Sequence, residues 1–328
     1  MENEQRQDRY KKIGELETLF REMEELLKGP EAQAIERFSR PTKPIFFIVG
    51  CARSGSTLLY QYLASTGLFA YPTNLMSRFY FAPYLGARIQ QMLLDFDRNG
   101  EIFSRPDKKA FTSDLGKTFG PSEPHEFWYF WNRFFKFGEI QKLSDEELRN
   151  VDVTLFLKEL AAIEYAFGKP LLMKAMKMNW HIPYLAGLAN NIYFIFVKRD
   201  VLYNAQSLLL ARKKFFGNYE GWYSFKPPNY DVIRQKPYYE QVIDQVYETN
   251  DAVEEGLSRI PAGRYIKIQY EEFCQNPNLI LDELGRIVPV DGKESKVDNS
   301  LFSVTNKRVL EDAIWERMND YYLRHGRF

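Results

Sequence analysis

A short glycine-bounded stretch holds the residues best suited to chemistry. It reads Gly50-Cys51-Ala52-Arg53-Ser54-Gly55-Ser56-Thr57 and lies between an apolar run and an apolar helix start. A turn between a strand and a helix directs backbone N–H groups and the helix N-terminus at one point, where anions bind well. Ser54, Ser56 and Thr57 add hydroxyl donors. Arg53 adds a permanent charge with a forked set of donors, so we expect residues 51–57 to bind a phosphate group.

The loop lacks the lysine of common nucleotide-binding loops. It resembles G-x-x-x-x-G-K-[ST], but Ser56 occupies the lysine position. In kinases and NTPases that lysine reaches the β- and γ-phosphates, and an acidic residue helps to hold Mg²⁺. The apolar run 192–197 ends instead in the basic pair Lys198-Arg199. We expect phosphate binding without a bound metal; a nucleotide kinase or NTPase is the alternative.

Arg199 and Ser207 form a second candidate anion site. Arg199 ends the apolar run 192–197, and Ser207 falls on the second turn of the helix expected to follow. Ligands of open α/β sheets bind at the carboxyl ends of strands, so Arg199 should lie at the same edge as the glycine turn. The alternative is that Asp200 caps the helix while Arg199 forms a surface ion pair.

Apolar runs and helical patterns alternate along the chain. The runs cover 45–49, 171–173, 192–197 and 265–268. Continuous apolar runs are typical of strands covered on both faces, and their alternation with helices predicts an α/β fold with a central, mostly parallel sheet flanked by helices. The stretch from about 75 to 165 is rich in aromatic residues and poor in strand signals, so we expect a mostly helical insertion there.

Residues 1–40 are expected to form a helical extension of a domain that covers 41–328. Their apolar residues share one helical stripe, which consists of Ile13, Leu16, Phe20, Met23 and Leu27. Gly29-Pro30 should end this helix, and a second short helix should follow from Glu31 to Phe38.

The composition excludes several classes of protein. The chain has 328 residues, with 44 basic residues against 44 acidic ones, whereas a nucleic-acid binder normally carries a basic excess. Its two cysteines give no disulfide framework, which is typical of a cytoplasmic protein. The apolar runs are far too short to span a membrane.

The two anion motifs together resemble those of sulfotransferases that use 3′-phosphoadenosine 5′-phosphosulfate (PAPS). The 5′ loop of that family reads roughly G-x-P-R-S-G-T-T-L-L, and here Ala52 replaces the proline and Ser56 replaces a threonine. The family's 3′-phosphate motif, an arginine with a serine eight residues on, is matched by Arg199 and Ser207. Lys174 is similar to a family lysine ahead of that motif, and 264–277 resembles the strand with Y-E-x-[LF] that follows it. The resemblance covers about 44–290.

The resemblance implies in-line transfer of a sulfonate group from PAPS to a hydroxyl, or alternatively an amine, with 3′,5′-adenosine bisphosphate as product. Arg53 and the loop hydroxyls would stabilise the leaving oxygen, with Lys174 near the scissile bond and Lys177 as its substitute. The polar segment Asn306-Lys307-Arg308 resembles a loop that closes over the nucleotide. A helix cap at Asn306 is the alternative there.

The general base is the least defined group. The family's usual positions hold Met176 and the acid-free stretch 71–74. Four other titratable residues are candidates, and they are Glu123, His125, Glu126 and His181. The alternatives are acids in a first helical turn for the 123–126 group and a packing histidine for His181. If none acts, the chain is a catalytically inactive nucleotide-binding scaffold.

An aromatic segment that could contribute to the acceptor site comes directly after the candidates at 123–126. Eight of the eleven residues in 127–137 are aromatic; most should be buried, and one or two could line a pocket for a sugar or another planar group. Residues 75–140 carry 9 Lys and Arg against 8 Asp and Glu, so no cleft for a polyanion is expected. A neutral or lightly charged sugar or small natural product is the favoured acceptor, with no nucleic-acid partner. Assembly into a homo-oligomer is left open.

Overall fold

Six strands occur in the part of the chain that the computed structural model describes, which covers residues 4–97, 99–103, 111–287 and 302–327. They are β1 (Ile45–Gly50), β2 (Ser113–Asp114), β3 (Lys117–Thr118), β4 (Leu171–Lys174), β5 (Ile192–Lys198) and β6 (Tyr265–Gln269). Four of them form one parallel sheet in the order β4-β1-β5-β6, and β2 and β3 form a separate antiparallel hairpin. The four predicted apolar runs are the four strands of the sheet.

Helices surround this sheet. The α-helices are α1 (Gly14–Ile35), α2 (Ser56–Ser65), α3 (Pro83–Gln90), α4 (Trp128–Phe135), α5 (Asp145–Arg149), α6 (Val153–Phe167), α7 (Ile182–Leu188), α8 (Val201–Phe216), α9 (Tyr230–Ile233), α10 (Tyr238–Ser258), α11 (Tyr270–Gln275), α12 (Leu279–Gly285) and α13 (Asp312–His325). Short 3-10 helices cover Asp8–Tyr10, Met76–Phe79, Met176–Met178 and Ala262–Arg264, and a π-helical turn covers Gln91–Asp95.

Strand β1 is buried along its whole length because helices cover both of its faces. Ile45, Phe47 and Val49 face a core that includes side chains of α4, α6 and α7. Phe46 and Ile48 point the other way, toward α2, α11 and α12. A strand buried on both faces has no polar side to show, which explains its unbroken apolar sequence.

The parallel register brings three strand ends to one edge of the sheet. Gly50 at the end of β1 pairs with Val197 of β5, and Ile48 pairs with Lys174 at the end of β4. The segments that leave these ends are the glycine loop, the turn after Lys174 and the start of α8. The sheet therefore gathers both predicted anion motifs and the family lysine at a single edge.

The N-terminal helix differs from the prediction. Helix α1 runs without a break from Gly14 to Ile35 and contains Pro30, so the expected stop at Gly29-Pro30 is wrong. Packing compensates for the lost backbone hydrogen bond, because the buried Glu31 carboxylate accepts hydrogen bonds from the N–H groups of Tyr84 and Leu85. Ile13 is 62% exposed, whereas the rest of the predicted stripe packs on the domain.

The region from 75 to 165 is mostly helical, as predicted, but it also carries the hairpin β2–β3. Within it, α4 contributes much of the aromatic core. Phe130, Trp131, Phe134 and Phe135 are buried, while Trp128 is only half-buried. Most rings of this cluster are therefore packing residues, which confirms the expectation.

Candidate active site

The glycine loop is clamped at its first residue. The Gly50 N–H donates to the Asn179 side-chain oxygen at 3.0 Å, and the Asn179 amide donates back to the Gly50 carbonyl at 2.8 Å. Gly50 has φ +138, and an added Cβ would lie 2.5 Å from the Val197 carbonyl oxygen. Only glycine lets the chain leave β1 at this angle.

A second glycine sets the start of α2. Gly55 has φ +92, and a Cβ there would lie 2.3 Å from the Tyr270 ring. Arg53 also has a positive φ of 68, which turns the loop between the two glycines. The Tyr270 ring lies beneath this turn, and the Arg199 guanidinium lies 4.7 Å from its centroid. Tyr270 thus supports both anion motifs.

Arg199 is buried and donates hydrogen bonds from Nε, Nη1 and Nη2. It is 7% exposed, so the alternative of a surface ion pair is wrong. Its guanidinium donates to the Asn306 side-chain oxygen at 2.8 and 3.0 Å, to both oxygens of Thr305 at 3.2 Å, and to the Arg53 carbonyl at 3.3 Å. Burial lowers the pKa of Arg199, but a guanidinium remains charged at neutral pH.

The two predicted anion motifs form one site. Arg53 Nε donates to Ser207 Oγ at 3.2 Å, which joins the glycine loop to α8. Asp200 caps α8 by accepting from the Tyr203 N–H at 3.1 Å, so the helix cap and the Arg199 cluster coexist. The Ala52 carbonyl accepts from the Asn204 amide at 2.8 Å, which fixes the loop to the same helix.

The segment 305–310 closes this site from the C-terminal side. Asn306 is held by Glu271, whose carboxylate accepts from its amide at 2.6 Å, and the Lys307 carbonyl accepts from Gln206 at 2.8 Å. Helix α13 begins at Asp312, so the alternative of a helix cap at Asn306 is wrong. Arg308 pairs with Asp312, and the structure does not bring its guanidinium to Arg199.

Lys174 joins the end of β4 to the loop and to the acidic stretch. Its ammonium donates to Thr57 Oγ1 at 2.7 Å and to Glu126 Oε1 at 2.7 Å. The Lys174 side chain is 2% exposed and that of Glu126 is 21% exposed. Gly116 in the turn of the hairpin lies against this pair, because a Cβ there would be 3.3 Å from Glu126 Oε1 and 3.6 Å from Thr57 Oγ1.

The other base candidates have different surroundings. His125 Nδ1 accepts from the Phe127 N–H at 2.9 Å, and burial lowers the pKa of His125 to about 4, so it is a weak base. Glu123 accepts from the Gln61 amide at 3.0 Å. Helix α4 begins at Trp128, after Glu126, so the acids do not form its first turn.

His181 belongs to another part of the molecule. Its Nε2 lies 2.9 Å from the Leu143 nitrogen and 3.2 Å from the Gln141 carbonyl oxygen, and burial lowers its pKa. These contacts attach the segment 141–143 to the start of α7. The structure does not bring His181 to Lys174, which favours the packing alternative.

The small residues of the loop have two roles: the serines offer hydroxyl donors, and Cys51 packs in the core. Ser54 Oγ is buried and has no hydrogen-bond partner within the described residues. Ser56 Oγ donates to the Met176 sulfur at 3.4 Å. Cys51 is buried in the core beside α8 and α10, and burial raises the pKa of its thiol to about 12.

Several residues of the site were not identified as candidates from the sequence. Asn179 and Gly116 contact site residues from other segments of the chain, and neither belongs to a motif. Tyr270 and Glu271 fall in the Y-E-x-[LF] element, whose match predicted only a structural role. Tyr270 lies against Arg199 and Glu271 holds Asn306, so that element could have identified them.

Comparison with protein families identifies the family to which the chain belongs. A model of the sulfotransferase family matches residues 44–288, so the chain belongs to the sulfotransferase family. The α/β architecture of the chain is the one that the sequence analysis predicted.

Solved structures of bacterial sulfotransferases are similar to the chain at low identity. STF9 from Mycobacterium avium is 13% identical with a TM-score of 0.49, over 88% of this chain and 70% of that one. STF1 from Mycobacterium tuberculosis is 11% identical with a TM-score of 0.49, over 90% and 76%. The enzyme from Alicyclobacillus acidocaldarius is 14% identical with a TM-score of 0.41, over 86% and 92%. Comparison with curated proteins gave no match.

Proposed function

We propose that the protein transfers the sulfonate group of PAPS to a hydroxyl of a neutral or lightly charged small molecule or sugar in the cytoplasm. The observation that carries this proposal is the pairing of Lys174 with both Thr57 and Glu126 at 2.7 Å. A cation, a hydroxyl at a helix start and a carboxylate meet at the strand edge where the loop begins. These are the groups that an in-line transfer requires at its centre.

The residues present fit a nucleotide with phosphates at both ends. At the loop, Ser54 supplies a buried hydroxyl that has no hydrogen-bond partner among the described residues, and Arg53 and the N-terminus of α2 add charge and N–H donors. At the other end, Arg199 and Ser207 lie within one connected network. When bound, PAPS supplies the activated sulfonate group.

Glu126 is the residue we assign as general base. As the acceptor oxygen bonds to sulfur, its proton passes to the Glu126 carboxylate and the bond from sulfur to the 5′-phosphate oxygen breaks. Lys174 and Thr57 donate to the leaving oxygen, which becomes part of 3′,5′-adenosine bisphosphate. Glu126 is favoured over His125 because its carboxylate contacts Lys174 directly, whereas His125 Nδ1 is already bonded to the backbone.

The first test is thermal unfolding with 3′,5′-adenosine bisphosphate, with ATP and Mg²⁺ in a parallel sample. A ligand at one hundred times its Kd stabilises the folded state by about 2.7 kcal/mol, and the midpoint should rise by several degrees. A shift with ATP and Mg²⁺ alone would favour the nucleotide kinase instead. Absence of a shift with the bisphosphate would overturn the proposed donor.

The second test separates an enzyme from an inactive scaffold. Transfer from labelled PAPS is screened with sugars, phenols and amines as acceptors. Glu126→Gln should then lower kcat by about 10²- to 10³-fold while the affinity for the bisphosphate stays unchanged. Full activity of this variant would exclude Glu126 as the base.

A further inference from the structure

Lys177 lies three residues after Lys174 and is held among aromatic rings. Its ammonium donates to the Asn132 side-chain oxygen. The Trp128 and Phe137 ring centroids lie 5.2 and 4.6 Å from the same nitrogen. Lys177 is only partly exposed, so much of its stem is covered while its ammonium contacts the exposed Asn132.

The Lys177 ammonium is separated from the acidic side chains that the structure describes. Among the residues that the structure describes, no carboxylate lies within 4.0 Å of its ammonium. Burial and the nearby Lys12 both lower the pKa of Lys177, to about 8. Lys12 is itself paired with Glu17 at 3.5 Å, whereas the Lys177 ammonium lies beside rings and a neutral amide, where an anion would offset the cost of its burial.

Lys177 also lies on the acceptor side of the proposed reaction centre. The same short segment carries Lys174 at one end and Lys177 in the 3-10 helix Met176–Met178. Trp128 is two residues beyond Glu126, and its other neighbour is Phe225, with ring centroids 6.0 Å apart. Trp128 therefore joins the segment that carries Glu126 to this aromatic and cationic surface.

We propose that Lys177 binds a carboxylate carried by the acceptor, whose apolar frame lies against Trp128 and Phe137. This inference rests on the proposed function for the identity of the ligand as an acceptor. The inference restricts the proposed acceptors, which are neutral or lightly charged, to those that carry a single anionic group. Lys177 is a specificity-determining residue in this scheme and takes no part in the transfer itself.

The test uses competitive acylation of lysines with trace acetic anhydride, read for each lysine by mass spectrometry of the full-length protein after digestion. Benzoate and its neutral analogue benzamide are the probes, each with and without saturating 3′,5′-adenosine bisphosphate. A bound carboxylate should raise the pKa of Lys177 by about one unit, so acylation at neutral pH should fall about tenfold. Benzamide should have no such effect.

Lys43 provides a matched control, because it is exposed and lies before β1 at the opposite edge of the sheet. Its acylation should be the same with both probes. Thermal stabilisation by benzoate should be lost in Lys177→Met and kept in Lys43→Met. The proposal is overturned if benzoate leaves the acylation of Lys177 unchanged or acts no more strongly than benzamide.

The two proposals fail separately. Protection of Lys177 by benzoate without any binding of the bisphosphate would keep the carboxylate site and remove the sulfotransfer donor. Binding of the bisphosphate without protection would keep the donor and remove the carboxylate site.

Discussion

The proposed nucleotide side and the proposed acceptor side of the molecule are built in different ways. On the nucleotide side, backbone geometry does the positioning, through Gly50, Gly55 and the buried hydrogen bonds of Arg199. On the acceptor side, the hairpin β2–β3 lies against Glu126 and depends on side chains from distant segments. The first arrangement tolerates little change, whereas the second can vary without disturbing the fold.

The hairpin is the clearest case of the second arrangement. Asp114 accepts hydrogen bonds from Arg9, Tyr10 and Lys214. Tyr10 also stacks on Phe215, with ring centroids 4.9 Å apart. The N-terminal segment and the end of α8 thus hold the wall beside the reaction centre, through contacts that are partly exposed to solvent.

The largest effect is expected from Gly55→Ala. The substitution combines a left-handed φ with a collision of the new Cβ with the Tyr270 ring, and it should lower the free energy of unfolding by about 3 kcal/mol. Gly67→Ala is the matched control, since Gly67 has φ +73 and open space around it. It should cost only about 1 kcal/mol. Denaturant unfolding measures both, and equal losses would mean that contact with Tyr270 does not fix the loop.

The second largest effect is expected from Arg199→Ala. Loss of charged hydrogen bonds to the 3′-phosphate should weaken binding of 3′,5′-adenosine bisphosphate about 100-fold, or about 2.7 kcal/mol. Arg308→Ala, which removes a guanidinium already paired with Asp312, should change affinity less than twofold. Calorimetric titration gives both values. If the two variants bind equally, the nucleotide does not use the Arg199 network.

The nucleotide side was predictable because its parts are close in sequence. Arg53 and Ser56 share one turn, Arg199 lies two residues before α8, and Ser207 lies within the first turns of that helix. The strands were equally predictable, since a strand buried on both faces has a continuous apolar sequence. Local spacing was therefore enough to find both anion motifs.

The acceptor side was less predictable because its contacts join distant residues. Asp114 meets Arg9 across a separation of 105 residues, and the strands of its hairpin have two residues each, too few for an alternating pattern. The prediction that Pro30 ends the first helix failed because the Glu31 carboxylate accepts a hydrogen bond from the N–H of Tyr84 in α3, which holds the helix in place. His181 was a candidate because it lies a few residues past Lys177 and because the chain has only 3 histidines, and neither fact determines where its side chain lies.

Asp114→Ala tests whether the two sides are separable. Exposed ion pairs contribute little, so the variant should lose about 1 kcal/mol of stability, with faster hydrogen exchange confined to 113–118. Affinity for the bisphosphate should not change. Asp312→Ala, which removes the carboxylate of an exposed pair, should leave exchange in 113–118 unaltered. Weaker nucleotide binding by the Asp114 variant would show that the hairpin serves both sides.

The smallest effect is expected at Cys51, although it lies directly after Gly50 in the glycine loop. Its side chain points into the core beside α8 and α10, and burial raises the pKa of the thiol to about 12. At pH 8 only about one molecule in 10⁴ carries the thiolate, so iodoacetamide should leave the native protein unmodified. Cys51→Ala should change affinity for the bisphosphate less than threefold, since the loop binds through its backbone and hydroxyls. Rapid alkylation blocked by the bisphosphate would instead mean that the thiol faces the ligand.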